Sequence, residues 1–308
     1  MTTVAASAAT PARDRTFVGI GWMLVTTLLF VCVTGIVRHL GSDIPAVEAA
    51  FIRYGLGLIL ILPAFRPLIR QWPSGAAMRR FVLRGVVHGG GVMLWFYAMA
   101  RIPIAEVTAL GYIAPIFVTL GAAIFFGETL HLRRVMAVAI GFLGAMVIVR
   151  PGFQEISSGQ LAQLATAPLF ACSYLLAKGM TREFGSGVIV GMLSLFCTLT
   201  LLPGAILQWR EPTLEEVGWL GLTAVFATTG HYTLTRAFEA APLTVTQPIG
   251  FLQLVWAALL GVLVFGEPLD PFVFLGGGMV VAAATYISHR EARAARKLRT
   301  PPALATKT

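Results

Sequence analysis

Arg84, His88, Gly91 and Trp95 recur at spacings of four, three and four, which puts a guanidinium, an imidazole, a gap and an indole on one helical face. Thr108, Tyr112, Pro115 and Thr119 form a second stripe of this kind. Thr228, His231 and Thr235 form a third, Thr246, Gly250 and Gln253 a fourth, and Thr27, Phe30 and Thr34 a fifth. Neutral donors, acceptors and aromatic faces of this sort suit the binding of a small amphipathic solute. The residues expected to touch substrate are His88, Trp95, Tyr112, Tyr174, Thr228, His231, Gln253 and Trp256. Flat apolar cations could also stack on Trp95, Tyr112 or Trp256. Bond-breaking chemistry has no foothold. There is no His-Glu-x-x-His, no Gly-rich phosphate loop with Lys and no convergent pair of acids, so no enzyme is expected. Cys32, Cys172 and Cys197 each sit in apolar runs without metal-ligand spacing, and no metal or cofactor is expected.

Charges inside apolar stretches carry the next signal, because an unpaired one costs about 2.5–3.5 kcal/mol at mid-bilayer. Glu48, Arg53 and Glu106 are the candidates for coupling or gating. Glu48 and Arg53 lie five residues apart, so they do not stack and each needs a partner elsewhere. Glu106 falls where a helix begins, which favours an anion. Glu128 and Glu267 each follow a Gly at the end of an apolar run and read as turn or interface residues. Only Arg53 and Arg84 are interior cations, too few to pair a phosphorylated substrate. Bland roles compete for several positions. Threonine in lipid often bonds its own helix. Gly85-x-x-x-Gly89 and Gly187-x-x-x-Gly191 read as packing surfaces, and Trp22, Trp72, Trp209 and Trp219 as interface anchors.

The elements that must hold these residues are membrane spans. The chain has 308 residues, 57% hydrophobic and 12% charged, about half the charge a soluble domain of this size uses. Ten apolar stretches are long enough: 17–37, 46–65, 80–98, 104–126, 132–149, 160–178, 187–207, 214–235, 242–265 and 271–289. The first is too long for a signal-peptide core and remains as a span. Turn chemistry separates them, as in Gly41-Ser42-Asp43-Ile44-Pro45 and Arg150-Pro151-Gly152. Of 23 Lys and Arg, Arg38, Arg101, Arg150 and Arg210 fall in loops on one side and two lie within spans; the other seventeen share the side of both termini. That side is therefore expected to be cytoplasmic. The net charge of +9 lies mostly in loops and tails without interleaved aromatics, so nucleic acid is not an expected partner. The bilayer and a small molecule are. All ten spans can form a complete unit as a monomer.

The chain also repeats itself. At an offset of 140, Gly19, Leu24, Thr26, Leu29, Phe30 and Cys32 meet Gly159, Leu164, Thr166, Leu169, Phe170 and Cys172; Thr34 meets Tyr174. At 139, Ala98, Pro103, Gly111, Leu120 and Phe126-Gly127-Glu128 meet Ala237, Pro242, Gly250, Leu259 and Phe265-Gly266-Glu267. Five spans is an odd number, so the two copies enter the membrane with opposite polarity, the arrangement that underlies alternating access. The expected organisation is a tail at 1–16, repeats at 17–150 and 159–290, and a basic tail at 291–308.

The two Ala-x-x-x-x-Pro segments, each followed by a span ending Phe-Gly-Glu, together with Ala-Ala-Phe-Ile-Arg-Tyr-Gly at 49–55, resemble the EamA-type family of the drug/metabolite transporter superfamily. Within it the chain looks most like YddG-type amino-acid exporters. The resemblance implies an all-α, ten-helix inner-membrane protein with a central cavity lined mainly by spans 1, 3, 4, 6, 8 and 9. It implies export of aromatic and other neutral amino acids and related metabolites. Small multidrug relatives in that superfamily exchange protons at a carboxylate in their first span, and neither span 1 nor span 6 holds an acid here. Uniport or exchange is expected; proton-coupled efflux of cationic compounds and a non-gated channel are the alternatives.

Overall fold

A computed structural model describes residues 12–65, 72–73, 75–126, 132–180, 183–184, 186–241, 246 and 249–299. Among these residues the chain is helical apart from turns and one isolated bridge between Pro151 and Gln154. The helices are α1 (Ala12–Leu40), α2 (Ala46–Ile61), α3 (Gly75–Met99), α4 (Ile104–Gly111), α5 (Ala114–Phe126) and α6 (Leu132–Val149). Then come α7 (Ser158–Met180), α8 (Ser186–Leu207), α9 (Leu214–Ala240), α10 (Leu252–Phe265) and α11 (Pro271–Arg299). Every expected span holds helix among its described residues. Five described segments combine a length of at least 18 residues with enough hydropathy to cross a bilayer: Thr16–Leu40, Gly75–Met99, Ile104–Gly121, Ser158–Ala177 and Val188–Leu207.

The distribution of side chains is that of a protein solvated by lipid. Large apolar residues such as Leu28, Ile59, Val86, Leu143, Leu199 and Leu263 face outwards, while Glu48, Arg53, Arg84, His88, Glu106, Gln160 and Gln163 are buried. A buried polar group is tolerable only where partners compensate it.

Two spans are not continuous. Span 4 breaks at Tyr112-Ile113, and span 9 breaks at Phe251 between helical residues 249–250 and α10. Pro115 explains the first break, since it has no N–H to donate to Gly111 four residues back. Tyr112 and Ile113 turn instead to the carbonyls three residues back, at 3.3 and 3.1 Å. Phe251 follows Gly250, a weak helix former, and its carbonyl accepts from Leu254 N at 3.0 Å. Helix also extends into both expected tails. Helix α1 begins at Ala12 within the expected tail, and α11 continues through the expected basic tail as far as Arg299.

Packing is tight where glycines allow it. Helices α6 and α11, the fifth spans of the two halves, meet at Gly144 and Gly276, where a Cβ added to Gly144 would come within 2.6 Å of the Gly276 carbonyl oxygen. Gly85 and Gly89 of α3 press on Phe196 and Thr200 of α8, as a helix-packing surface should. Helix α9 starts with a capping box in which Thr213 and Glu216 exchange hydrogen bonds.

Candidate functional site

Six of the expected contact residues converge. His88 and Trp95 from α3, Tyr112 at the span 4 break, Tyr174 from α7, His231 from α9 and Gln253 from α10 line one cavity of about 250 Å³ in the middle of the bundle. Phe30 and Thr34 from α1, Arg53 and Tyr54 from α2, and Gln163 and Phe170 from α7 complete much of its wall. Spans 1, 3, 4, 6, 8 and 9 therefore contribute, and span 2 joins them.

Aromatic contacts organise the wall. Phe170 is a hub: its ring lies 5.0 Å from His88, 6.4 Å from Trp95 and 6.4 Å from Tyr174. Phe30 stands edge-on to His231 at 5.2 Å. His88 Nδ1 and Ser173 Oγ are 3.0 Å apart, a buried pair that orients the imidazole. Thr34 and Thr108 donate to the carbonyls of Phe30 and Ile104 in their own helices, at 3.0 and 2.9 Å, as threonines in lipid commonly do.

The two helix breaks meet at this cavity. The Tyr112 ring packs at 5.0 Å against Phe251, its counterpart in the repeat, and the Tyr112 hydroxyl donates to the Gly250 carbonyl at 3.3 Å. Ala114, the first residue of α5, and Gln253, the second of α10, both line the cavity. Two half-helices thus direct the positive ends of their dipoles at it. Arg53 adds a full charge, with its guanidinium 4.1 Å from the centre of the Tyr54 ring. No carboxylate among the described residues pairs with Arg53, and none lines the cavity. Among the described lining residues the permanent side-chain charge is therefore that of Arg53.

Two expected contacts lie elsewhere. Thr228 faces Gly57 of α2 and does not line the cavity. Trp256 lines an apolar groove of about 590 Å³ with Val31, Gly35 and Leu260. Of the gating candidates only Arg53 reaches the cavity. Glu48 is fully buried at the start of α2 and accepts from Arg210 N at 3.0 Å, tying α2 to the 208–213 loop. Glu106 accepts from Gln160 Nε2 at 2.5 Å beside a second, polar cavity. Arg84 also misses the cavity; it donates to the Ile189 carbonyl at 3.0 Å and joins α3 to α8.

Glu267, expected at a turn or interface, follows the left-handed Gly266 and also links distant parts of the chain. Its carboxylate is only 8% exposed, lies 3.0 Å from Arg38 Nε and accepts from Ile104 N at 2.9 Å. The first contact is an ion pair without hydrogen-bond alignment, because Oε1 accepts no hydrogen bond. Glu128, its sequence counterpart, lies outside the described residues.

Each half of the chain, over residues 17–150 and 157–289, matches the EamA-like transporter family. The chain belongs to that family. It is 30% identical over 292 residues to a riboflavin transporter of Rhizobium johnstonii, covering 92% of this chain and 95% of that one. It is 28% identical over 280 residues to the pseudopaline exporter CntI of Pseudomonas aeruginosa, covering 88% and 95%. It is 23% identical over 280 residues to an S-adenosylmethionine uptake transporter of Rickettsia bellii, covering 91% and 96%. A solved crystal structure shares the fold with a TM-score of 0.55 at 18% identity, over 91% of this chain and 99% of that one. The protein is a membrane transporter of the EamA type for a small-molecule substrate. The names of these relatives include both uptake and export, so membership alone does not set direction.

Sequence reasoning missed Phe170 and Gln163 as site residues. Phe170 carried a usable signal, since it is the repeat counterpart of Phe30. Gln163 is 1% exposed, donates to the Val107 carbonyl at 3.0 Å and leaves its Oε1 without a partner. With Gln160 three residues before it at the start of the span, a glutamine there is a weak pointer to such a role.

Proposed function

We propose that this transporter carries flat aromatic metabolites with a carboxylate or carbonyl-rich edge through the central cavity by alternating access. The observation that carries this is one wall set: the rings of Phe30, Trp95, Phe170 and Tyr174 beside Arg53, with no lining carboxylate among the described residues. Rings would sandwich the aromatic body, while Arg53 and the two half-helix starts receive the oxygen-bearing edge. Aromatic amino acids fit this description, as in YddG-type exporters, and so does riboflavin, which the name of a 30% identical relative suggests. The cavity, about 250 Å³, is smaller than the 300–1,000 Å³ usual for drug-sized ligands, which favours the smaller amino acids. Multidrug efflux of cations is disfavoured by the Arg53 charge in the wall. Without a carboxylate in the cavity wall, uniport or exchange is the simplest energetics. The setting is a bacterial-type inner membrane with both termini cytoplasmic, in keeping with the charge bias of the loops.

The test is transport by purified protein in proteoliposomes against a panel of riboflavin, phenylalanine, tyrosine and tryptophan. At least one should enter faster than into protein-free vesicles, with trans-stimulation by unlabelled solute. If none does, the substrate class is wrong. Flux without trans-stimulation would favour a channel.

A further inference from the structure

The central cavity has a neighbour. A polar cavity of about 350 Å³ opens among Arg101, Glu106, Arg150, Gln160, Glu267 and Asp270, at the end of the bundle where the 100–103, 150–157 and 266–270 loops lie. The two cavities are separated by about one helical turn. Glu106 and Gln160 line the polar cavity, while Val107 and Gln163 line the central one. Between them two side-chain bonds cross from α7 to α4: Gln160 to the Glu106 carboxylate at 2.5 Å and Gln163 to the Val107 carbonyl at 3.0 Å. The partition is therefore α4 itself, eight residues long, with Pro103 before it and the Tyr112-Ile113 break after it.

A segment so short and so bounded owes little of its position to its own helix. Its start is held from outside. Ile104 N donates to Glu267 Oε2, and Arg38, which faces the other carboxylate oxygen, also donates to the Ala100 carbonyl at 3.0 Å. Glu267 is presented by Gly266, whose φ of +63° is left-handed, and its own N–H bonds the Gly261 carbonyl at 2.9 Å. One carboxylate from the second half thus grips the first half at the end of its partition. In the sequence this charge pair occurs twice, because Arg38 and Glu267 have Lys178 and Glu128 as counterparts at offsets of 140 and 139.

We propose that Glu267 is a positioning residue for transport, a latch that keeps α4 seated between the central and polar cavities. Glu267 lies outside the central cavity and acts by holding the partition that a substrate must pass on this side. Releasing the latch frees α4 to turn at its two breaks and joins the cavities. The inference rests on the transporter reading but not on which solute is carried.

The test is chemical accessibility in a full-length chain with Cys32, Cys172 and Cys197 replaced by alanine and Thr34→Cys as reporter in the central cavity. A membrane-impermeant maleimide is applied to vesicles from either side. Glu267→Gln and, separately, Arg38→Gln should raise the labelling rate from the side of the 266–270 loop about ten-fold, with little change from the other side. Unchanged labelling in both well-folded variants overturns the latch, as does an equal rise from both sides, which signals general loosening. If one variant fails to insert, the other still decides. Labelling needs no substrate, so a rise in accessibility with no transport across the panel would uphold the latch and sink only the substrate reading.

Discussion

Two phenylalanine–histidine pairs face the central cavity, each built by a first span of one half and a third span of the other. Phe30 of α1 meets His231 of α9 at 5.2 Å, and Phe170 of α7 meets His88 of α3 at 5.0 Å. Phe30 and Phe170 are repeat counterparts, but at the same offset of 140 His88 aligns with Thr228 and His231 with Gly91, so the two histidines reached the cavity independently. His88 is 7% exposed and bonded to Ser173, whose counterpart in the first half is the apolar Val33. His231 is exposed, and its surface is offered to the cavity. Among the described residues Phe170 touches three rings, whereas Phe30 contacts the ring of His231 and lies close to Gly230. The His88 side carries more of these aromatic contacts, and the His231 side offers the more exposed imidazole to the cavity.

This contrast can be broken by experiment. The largest expected effect is from His88→Ala, which strips Ser173 of its partner, opens a gap beside Phe170 and costs about 1–3 kcal/mol. Transport in proteoliposomes should fall about ten-fold or more while membrane insertion is kept. His231→Ala should reduce transport less and melt closer to the parent; an equal loss of stability would erase the distinction between the walls. Next comes Phe170→Ala against Phe30→Ala. At about 0.5–1.5 kcal/mol for each aromatic contact, the first should lower the melting temperature of the detergent-solubilised protein two- to three-fold more. Tyr112→Phe removes only the hydroxyl that reaches Gly250, and a loss of transport of about two- to five-fold is expected. A variant with full activity would show that the ring packing on Phe251 suffices.

The smallest effect lies far from both walls. Arg80 and Glu183 form an exposed ion pair with contacts of 2.9 and 2.5 Å, and Arg80 holds the Glu183 carboxyl below the usual carboxylate range. A depressed folded-state value stabilises above the ordinary carboxylate pKa and is lost as pH falls through the lower one. Arg80→Gln should therefore flatten the acid limb of the melting curve slightly and leave transport untouched, since exposed pairs contribute little.

The sequence made the ten spans legible because lipid demands long apolar stretches and leaves the polar exceptions conspicuous. Lining positions such as His88, Trp95 and Tyr112 were readable from helical spacing for the same reason. The misses have a common geometry. A step of three residues leaves a side chain roughly 60° off the face of its predecessor. Thr228 precedes His231 by three and turns to Gly57; Trp256 follows Gln253 by three and turns to the outer groove. The breaks at Tyr112-Ile113 and Phe251 were hidden, since hydropathy registers composition and takes no account of a missing donor at Pro115. Glu267 was hidden because its partners, Arg38 and Ile104, come from the far end of the chain.

The seam at Gly144 and Gly276 has its own consequence. Helices α6 and α11 contribute no side chain to the central cavity, yet there the halves approach backbone to backbone. Such a contact has little slack, because glycine meets a carbonyl oxygen on both sides and Ile148, Met279 and Val280 close in around it. A relative motion of the halves that preserved it would be confined to turning about the seam, which would then serve as an axle. The cavity walls lie off that axis, where a small rotation would give them the longest arc.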